Sequence, residues 1–177
     1  MEVDSKYSIY FWGLADGQHH FSFQVSKGFL ANFDKTEIND LEIKIDAIME
    51  KTPRHLGFTF HIQGIVNLQC DRCLDFFDFE LNFENNLHVS FGEETSDITN
   101  IDDRMILSRK EDKIDLAKHF YDYINLQIPL QKIHPDDEKG YSTCNTEMLE
   151  NIEKHMGHEN PLKEVDPRWD KLKNLYN

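Results

Sequence analysis

The chain has 177 residues, 39% of them hydrophobic and 29% charged, which suits one folded domain with a core and argues against a disordered polymer. Thirty-three acids against nineteen bases leave a net charge of -14, which disfavours nonspecific attraction to nucleic acid phosphate or anionic lipid and favours basic partners. Met1, Glu2, Val3 and Asp4 are not followed by the apolar run of an export signal, no window approaches about eighteen apolar residues, and three cysteines do not make an even disulfide framework, so a cytoplasmic protein that spans no membrane is expected.

Period-2 alternation dominates the first half, because it places every second side chain on one face of a sheet. Strands are expected over residues 7–14 and 20–25, around a turn at Asp16 and Gly17, and weaker alternation runs through Leu41, Ile43, Ile45, Ala47 and Met49. The cleanest run covers residues 56–68, with Leu56, Phe58, Phe60, Ile62, Val66 and Leu68 on one face together with Gly64. The pattern returns at Phe77, Phe79, Leu81, Phe83, Leu87, Val89 and Phe91, opposed by Asp78, Glu80, Asn82, Glu84, Asn86 and His88. Residues 92–103 read as an acidic loop.

The period then changes to 3.6. Ala117, Phe120, Tyr121, Ile124 and Ile128 share one helical face, Asp115 is placed to cap the start and Pro129 follows the end, so a helix is expected over residues 115–127. A second is expected over residues 146–155, and Pro167 followed by Trp169, Leu172 and Leu175 suggests a short amphipathic one at the C-terminus. The fold class is therefore α+β: an antiparallel sheet of about five to six strands over residues 7–91, flanked by C-terminal helices. Residues 1–165 form one domain, and residues 166–177 a short amphipathic tail.

Between Cys70 and Asp103 there are ten acids and one base, a local net of -9. Within that stretch Cys70-Asp71-Arg72-Cys73 lies between two expected strands, where a tight turn can aim both sulfurs at one point, as half of a tetrahedral zinc site does. A redox pair usually opens a helix, whose dipole lowers the thiol pKa, whereas here a strand follows; the two thiols also fit as small apolar fillers. Cys144 is the remaining thiol, with His134, His155 and His158 the nearest imidazoles, and Cys144 with His134 would complete a Cys3His set; both also read as ordinary loop residues. No phosphate-binding glycine loop, nucleophile elbow or His-Glu-x-x-His is present, and no carboxylate spacing singles out an acid and base pair, so no catalytic residue is assigned and no enzyme is expected.

Gly64-Ile65-Val66 leading into Cys70-Asp71-Arg72-Cys73-Leu74, then Ile114-Asp115-Leu116, Leu126-Gln127-Ile128-Pro129, His134 and Cys144 resemble, in this order, the YceD family of large ribosomal RNA subunit accumulation proteins. The closing Asp166-Pro167-Arg168-Trp169 with Leu172 is similar to the tail of its members from the Bacteroidetes. The resemblance implies a bacterial cytoplasmic protein, with relatives in plastids, that supports accumulation of large-subunit (23S) rRNA and binds metal. The family's cysteine pair falls on Cys70 and Cys73, its later histidine on His134 and its last cysteine on Cys144, with nine residues between the last two. A metal held by these four would be structural zinc, since the set leaves no open position.

Joined to the charge, the resemblance leads to a noncatalytic ribosome biogenesis factor. It would hold a basic large-subunit ribosomal protein or precursor particle through an acidic surface at Asp75, Asp78, Glu80 and Glu84, contact rRNA indirectly and take no small-molecule substrate. The alternative is a zinc-dependent RNA-binding protein contacting precursor rRNA directly, with aromatic side chains stacking on unpaired bases. Its thin basic candidates are Arg104, Arg109, Lys110 and Lys113, or Arg168, Lys171 and Lys173.

Overall fold

Eight strands and three helices follow one another in the computed structural model, which describes residues 5–33, 36–93, 96–98 and 104–156. Four long strands, β2 (Gly17–Ser26), β3 (Ile38–Lys51), β4 (His55–Gln69) and β5 (Phe76–Gly92), run as an antiparallel meander. Two short strands, β6 (Ser96–Ile98) and β7 (Arg104–Ser108), complete a six-stranded sheet in the order β2-β3-β4-β5-β7-β6. The α+β class is borne out, with one exception to antiparallel pairing: β7 runs parallel to β5 and places β6 on the edge.

The alternation that defines the long strands is the alternation of their burial. Leu56, Phe58, Phe60, Ile62, Val66 and Leu68 of β4 are buried, while Gln63, Ile65 and Gln69 of the same strand are exposed. Phe77, Leu81, Leu87 and Val89 of β5 and Ile43, Ile45, Ala47 and Met49 of β3 complete the inner face. Gly64 of β4 pairs with Ile43 of β3. A Cβ there would lie 2.7 Å from the Ile43 Cα and closer still to the Glu42 carbonyl oxygen, and its φ of 155° disfavours any other residue.

The helix α2 (Ala117–Gln127) covers the inner face. The Asp115 carboxylate accepts the Ala117 N–H at 2.9 Å, satisfying one of the donors that a helix start leaves unpaired, and Pro129 follows the C-cap at Ile128. Phe120 packs edge-on against Tyr7 and Phe60 and tilted against Phe23, and Tyr121 stacks on Phe33 at 4.0 Å. Tyr123, which the helical face read from the sequence omits, is also buried there, against Phe60. The helix α3 (Thr146–His155) begins at Asn145, whose side chain accepts the N–H groups of Glu147 and Met148.

Two sequence expectations need correction, and one element is new. The strand expected over residues 7–14 shortens to β1 (Ser8–Tyr10) and forms no hairpin with β2; it pairs with β8 (Lys113–Asp115) in a separate two-stranded sheet, because Tyr7, Ile9 and Phe11 are buried and the Phe11 and Trp12 N–H groups reach the Asp112 carbonyl. The acidic stretch over residues 92–103 contains β6, and β7 follows it; pairs this short carry too few alternating residues to register in sequence. A short helix α1 (Lys27–Leu30) links β2 to β3. The amphipathic tail at 166–177 lies outside the described residues.

Any side chain at position 64 must push β3 and β4 apart. Gly64→Ala is expected to destabilise the protein by more than about 2 kcal/mol, read as a lower urea midpoint with an unchanged slope. A smaller loss would show that the two strands part easily there.

Candidate metal centre

The candidate ligands come from three places in the chain that the fold brings to one end of the sheet. Cys70 follows β4 and Cys73 lies in the turn before β5. That turn is closed by the Cys70 N–H donating to the Asp75 carbonyl at 2.9 Å and by the Leu74 N–H donating to the Cys70 carbonyl at 3.0 Å. Leu74 takes a positive φ of 64° to complete it, a conformation that costs a residue other than glycine about 1–2 kcal/mol. The Arg72 N–H points at the Cys70 sulfur at 3.4 Å, as turns that present a thiolate to a cation commonly do.

His134 lies in the irregular segment after α2, and Cys144 immediately precedes the Asn145 cap of α3. The nine residues between them fold back on themselves. Asp136 bridges Ser142, the Asp137 carboxylate accepts the Lys139 and Tyr141 N–H groups, and the Thr143 hydroxyl donates to the Pro135 carbonyl at 2.7 Å. This compact loop returns Cys144 to within 3.7 Å of the His134 Nδ1.

One donor atom from each of Cys70, Cys73, His134 and Cys144 lies within 4.8 Å of all the others. The Cys70 and Cys144 sulfurs are 3.8 Å apart, and the Cys73 sulfur lies 3.4 Å from the His134 Nδ1. A tetrahedron with metal–sulfur bonds of about 2.3 Å and metal–nitrogen bonds of about 2.0 Å has sulfur–sulfur edges of about 3.8 Å and sulfur–nitrogen edges of about 3.5 Å. Three edges of the cluster match this tetrahedron and no pair of donors is more than 4.8 Å apart, so these residues could hold a metal ion. All three thiols are free and buried.

Burial opposes ionisation of Cys70, but the N–H groups of Cys73, Arg72 and His134 together with the His134 ring outweigh it and bring the thiol down to about 6. It is then mostly thiolate at neutral pH, ready to bind a cation without first losing a proton. Burial pushes Cys73 the other way, above the ordinary thiol range, against the N–H groups of Asn145 and Asp75.

Residues that the sequence does not single out tie these pieces together. The Asp71 N–H donates to the Lys132 carbonyl and the Lys132 N–H donates to the Asp71 carboxylate, both at 2.7 Å. The Lys132 ammonium also reaches Glu37 at 2.8 Å and Asp71 at 3.6 Å, and the two carboxylates, Glu37 foremost, hold it above the usual lysine range. On the other side the Asn145 amide donates to the Asp75 carboxylate at 3.0 Å. The one sequence signal for this clamp is position: Asp71 sits inside the cysteine pair and Lys132 two residues before His134.

The other candidates fall elsewhere. The His155 Nδ1 lies 2.8 Å from the Asn151 carbonyl within α3, away from the cluster, and His158 is outside the described residues. Asp78, Glu80 and Glu84 are exposed on the outer face of β5, where Asp78 accepts from the Asn67 amide and Glu84 meets His61 at 2.9 Å. Asp75 is exposed in the turn rather than on that face.

Fold and site define an α+β protein built on a long antiparallel meander, with a cluster of three buried cysteines and one half-buried histidine at one end of it. The chain belongs to the family described as large ribosomal RNA subunit accumulation protein YceD, whose model matches residues 58–176, more than half of the chain and all four donors. That description carries a role in accumulation of large-subunit ribosomal RNA and names no reaction. No curated protein and no solved structure matched the chain. Among the described residues no helix is long and apolar enough to cross a membrane.

A metal ion in the cage stabilises the native state by mass action, about 4 kcal/mol when free metal stands about 1,000-fold above its Kd. Chelation is then expected to lower the unfolding midpoint by about 10 °C for a chain of this size, and Cys73→Ser to abolish both the bound metal and the chelator response. Asp71→Ala removes no ligand but is expected to weaken metal binding by about 10- to 100-fold in a competition titration. Equal midpoints with and without chelator would show that the cluster holds no metal.

Proposed function

We propose that the protein is a noncatalytic cytoplasmic assembly factor for the large ribosomal subunit. It captures a basic ribosomal protein, free or within a precursor particle, on the acidic outer face of its sheet, and so supports accumulation of the large-subunit rRNA indirectly. The observation that carries this reading is the outer face of β5, where Asp78, Glu80 and Glu84 are all exposed and no lysine or arginine alternates with them. Asp40 and Glu42 of β3 lie across β4 from the first two, with the uncharged Asn67 and Ile65 between them, so acids stand on two strands of the outer face. A cationic partner approaching it is steered by a chain of net charge -14, whereas phosphate is repelled.

Structural zinc completes the reading. Three thiolates and one imidazole suit zinc, and four protein donors leave no position for a reactive water, so the ion would fasten the fold rather than perform chemistry. The residues that would hold it are Cys70, Cys73, His134 and Cys144, and the burial of the three thiols supports a structural role. Small-molecule turnover finds no assigned catalytic residue in this reading.

The test is charge reversal. Asp78→Lys, Glu80→Lys and Glu84→Lys combined are expected to abolish capture of basic large-subunit proteins from nuclease-treated extract, with the circular dichroism and thermal midpoint kept. Asp75 is left intact because it holds Asn145. Unchanged capture by the triple variant would overturn the proposal.

A further inference from the structure

At the end of the sheet remote from the cysteines lies a cleft of about 320 Å³ whose chemistry differs from that of the acidic face. Phe11, Phe91 and Pro53 form apolar walls, Trp12 stands at the rim 69% exposed, and Lys51 and Arg109 bring positive charge. The Phe11 and Phe91 rings are 5.6 Å apart, so the floor is packed and not an open gap. Trp12 is positioned by its own N–H and that of Phe11 on the Asp112 carbonyl, and Arg109 by its N–H on the Gly92 carbonyl.

Lys51 and Arg109 line the cleft, and further cations lie in the chain segments next to it. Arg54 lies in the β3–β4 turn, Lys110 beside Arg109 in the β7–β8 turn, and the Lys113 ammonium stands 5.9 Å from the centre of the exposed Tyr10 ring. Asp16 is the acid lining the cleft, and it is bound to Lys51 at 3.0 Å. Glu111 and Asp112 share the turn with Lys110, so the site offers two or three local phosphate contacts rather than a broad basic face.

We infer that this cleft binds an unpaired nucleotide of single-stranded RNA, with the base stacked on Trp12 and the adjoining phosphates met by Arg109 and Lys110. An exposed indole beside an apolar floor offers a base the stacking surface that single-strand binders use, and a guanidinium with no carboxylate partner among the described residues offers the phosphate its counter-charge. Among the residues lining the cleft the one acid is Asp16, which is already paired, so a basic protein segment would find little inside it to balance its charge. This contact is additional to the proposed capture of a basic protein and uses none of the acidic residues assigned to it.

The full-length, metal-loaded protein is titrated into a fluorescein-labelled twelve-nucleotide oligouridine and followed by polarisation. Binding at low salt is expected, with log K falling against log salt at a slope of about -1.4 for two single-strand phosphate contacts. Trp12→Ala is expected to weaken it about tenfold and Trp12→Phe to restore most of it, which separates stacking from a folding defect. Arg109→Glu should abolish binding, while the triple reversal of Asp78, Glu80 and Glu84 should not weaken it. No binding of the oligonucleotide, equal binding by Trp12→Ala, or a uridine monophosphate affinity matching that of the oligomer would overturn the inference. Loss of basic-protein capture in Trp12→Ala with RNA binding intact would overturn it as well and make the cleft a protein contact. Failure of the acidic-face reading shows separately, in the capture assay.

Discussion

The approach of His134 and Cys144 to the Cys70–Cys73 turn is the contact on which the arm from Pro129 to Met156 depends. From Pro129 to Met156, Cys144 is the one residue that is fully buried, and no residue of α3 is. Little apolar area therefore holds this arm, and at about 25 cal/mol per Å² its partly buried Ile133, Met148 and Leu149 supply a small fraction of what the sheet gains from its inner face. What secures the arm is directional chemistry: four donors at one point, the Asp71–Lys132 exchange of hydrogen bonds, and Asn145 on Asp75. Each of these ties begins or ends in the five residues between Cys70 and Leu74 or at the Asp75 that follows.

That dependence explains an expense elsewhere. Leu74 adopts a left-handed conformation and is 56% exposed, so it is strained without a compensating burial. The strain sits in the turn that must aim two sulfurs the same way, and a metal ion binding them would draw its stability partly from contacts that hold the turn in that shape before it arrives. The low pKa of the Cys70 thiol has the same origin: the N–H groups gathered around its sulfur favour negative charge there.

The sheet was legible in the sequence because its strands are long. Fifteen residues of β4 and seventeen of β5 repeat the period-2 pattern often enough that Ile65 and Phe76, the large apolar residues out of phase, do not disturb it, and both are indeed exposed. The same reasoning failed for β1, because a three-residue strand pairs with whatever its buried neighbours place beside it, and Ile114 lies more than a hundred residues away. Tyr123 was missed because a phenol reads as amphipathic until the opposing Phe60 is known. At the metal centre the ligand types were visible as residues, but the Glu37–Lys132–Asp71 link was not, since charged residues are ordinarily solvated and only the fold places these three together.

The length of the strands also organises the charge. β4 alone spans about 45–50 Å at the usual rise per residue, so the cysteine turn and the Trp12 cleft stand at opposite ends of one rigid sheet, with the acidic outer face between them. A basic protein on that face would leave both ends uncovered. Its bulk would partly neutralise the field that otherwise repels a polyanion, and RNA would reach the cleft more readily with the protein partner in place than without it. The two contacts then reinforce one another with no change of shape, because the coupling is carried by charge alone, and linkage requires that RNA in the cleft tighten the hold on the basic partner by the same factor.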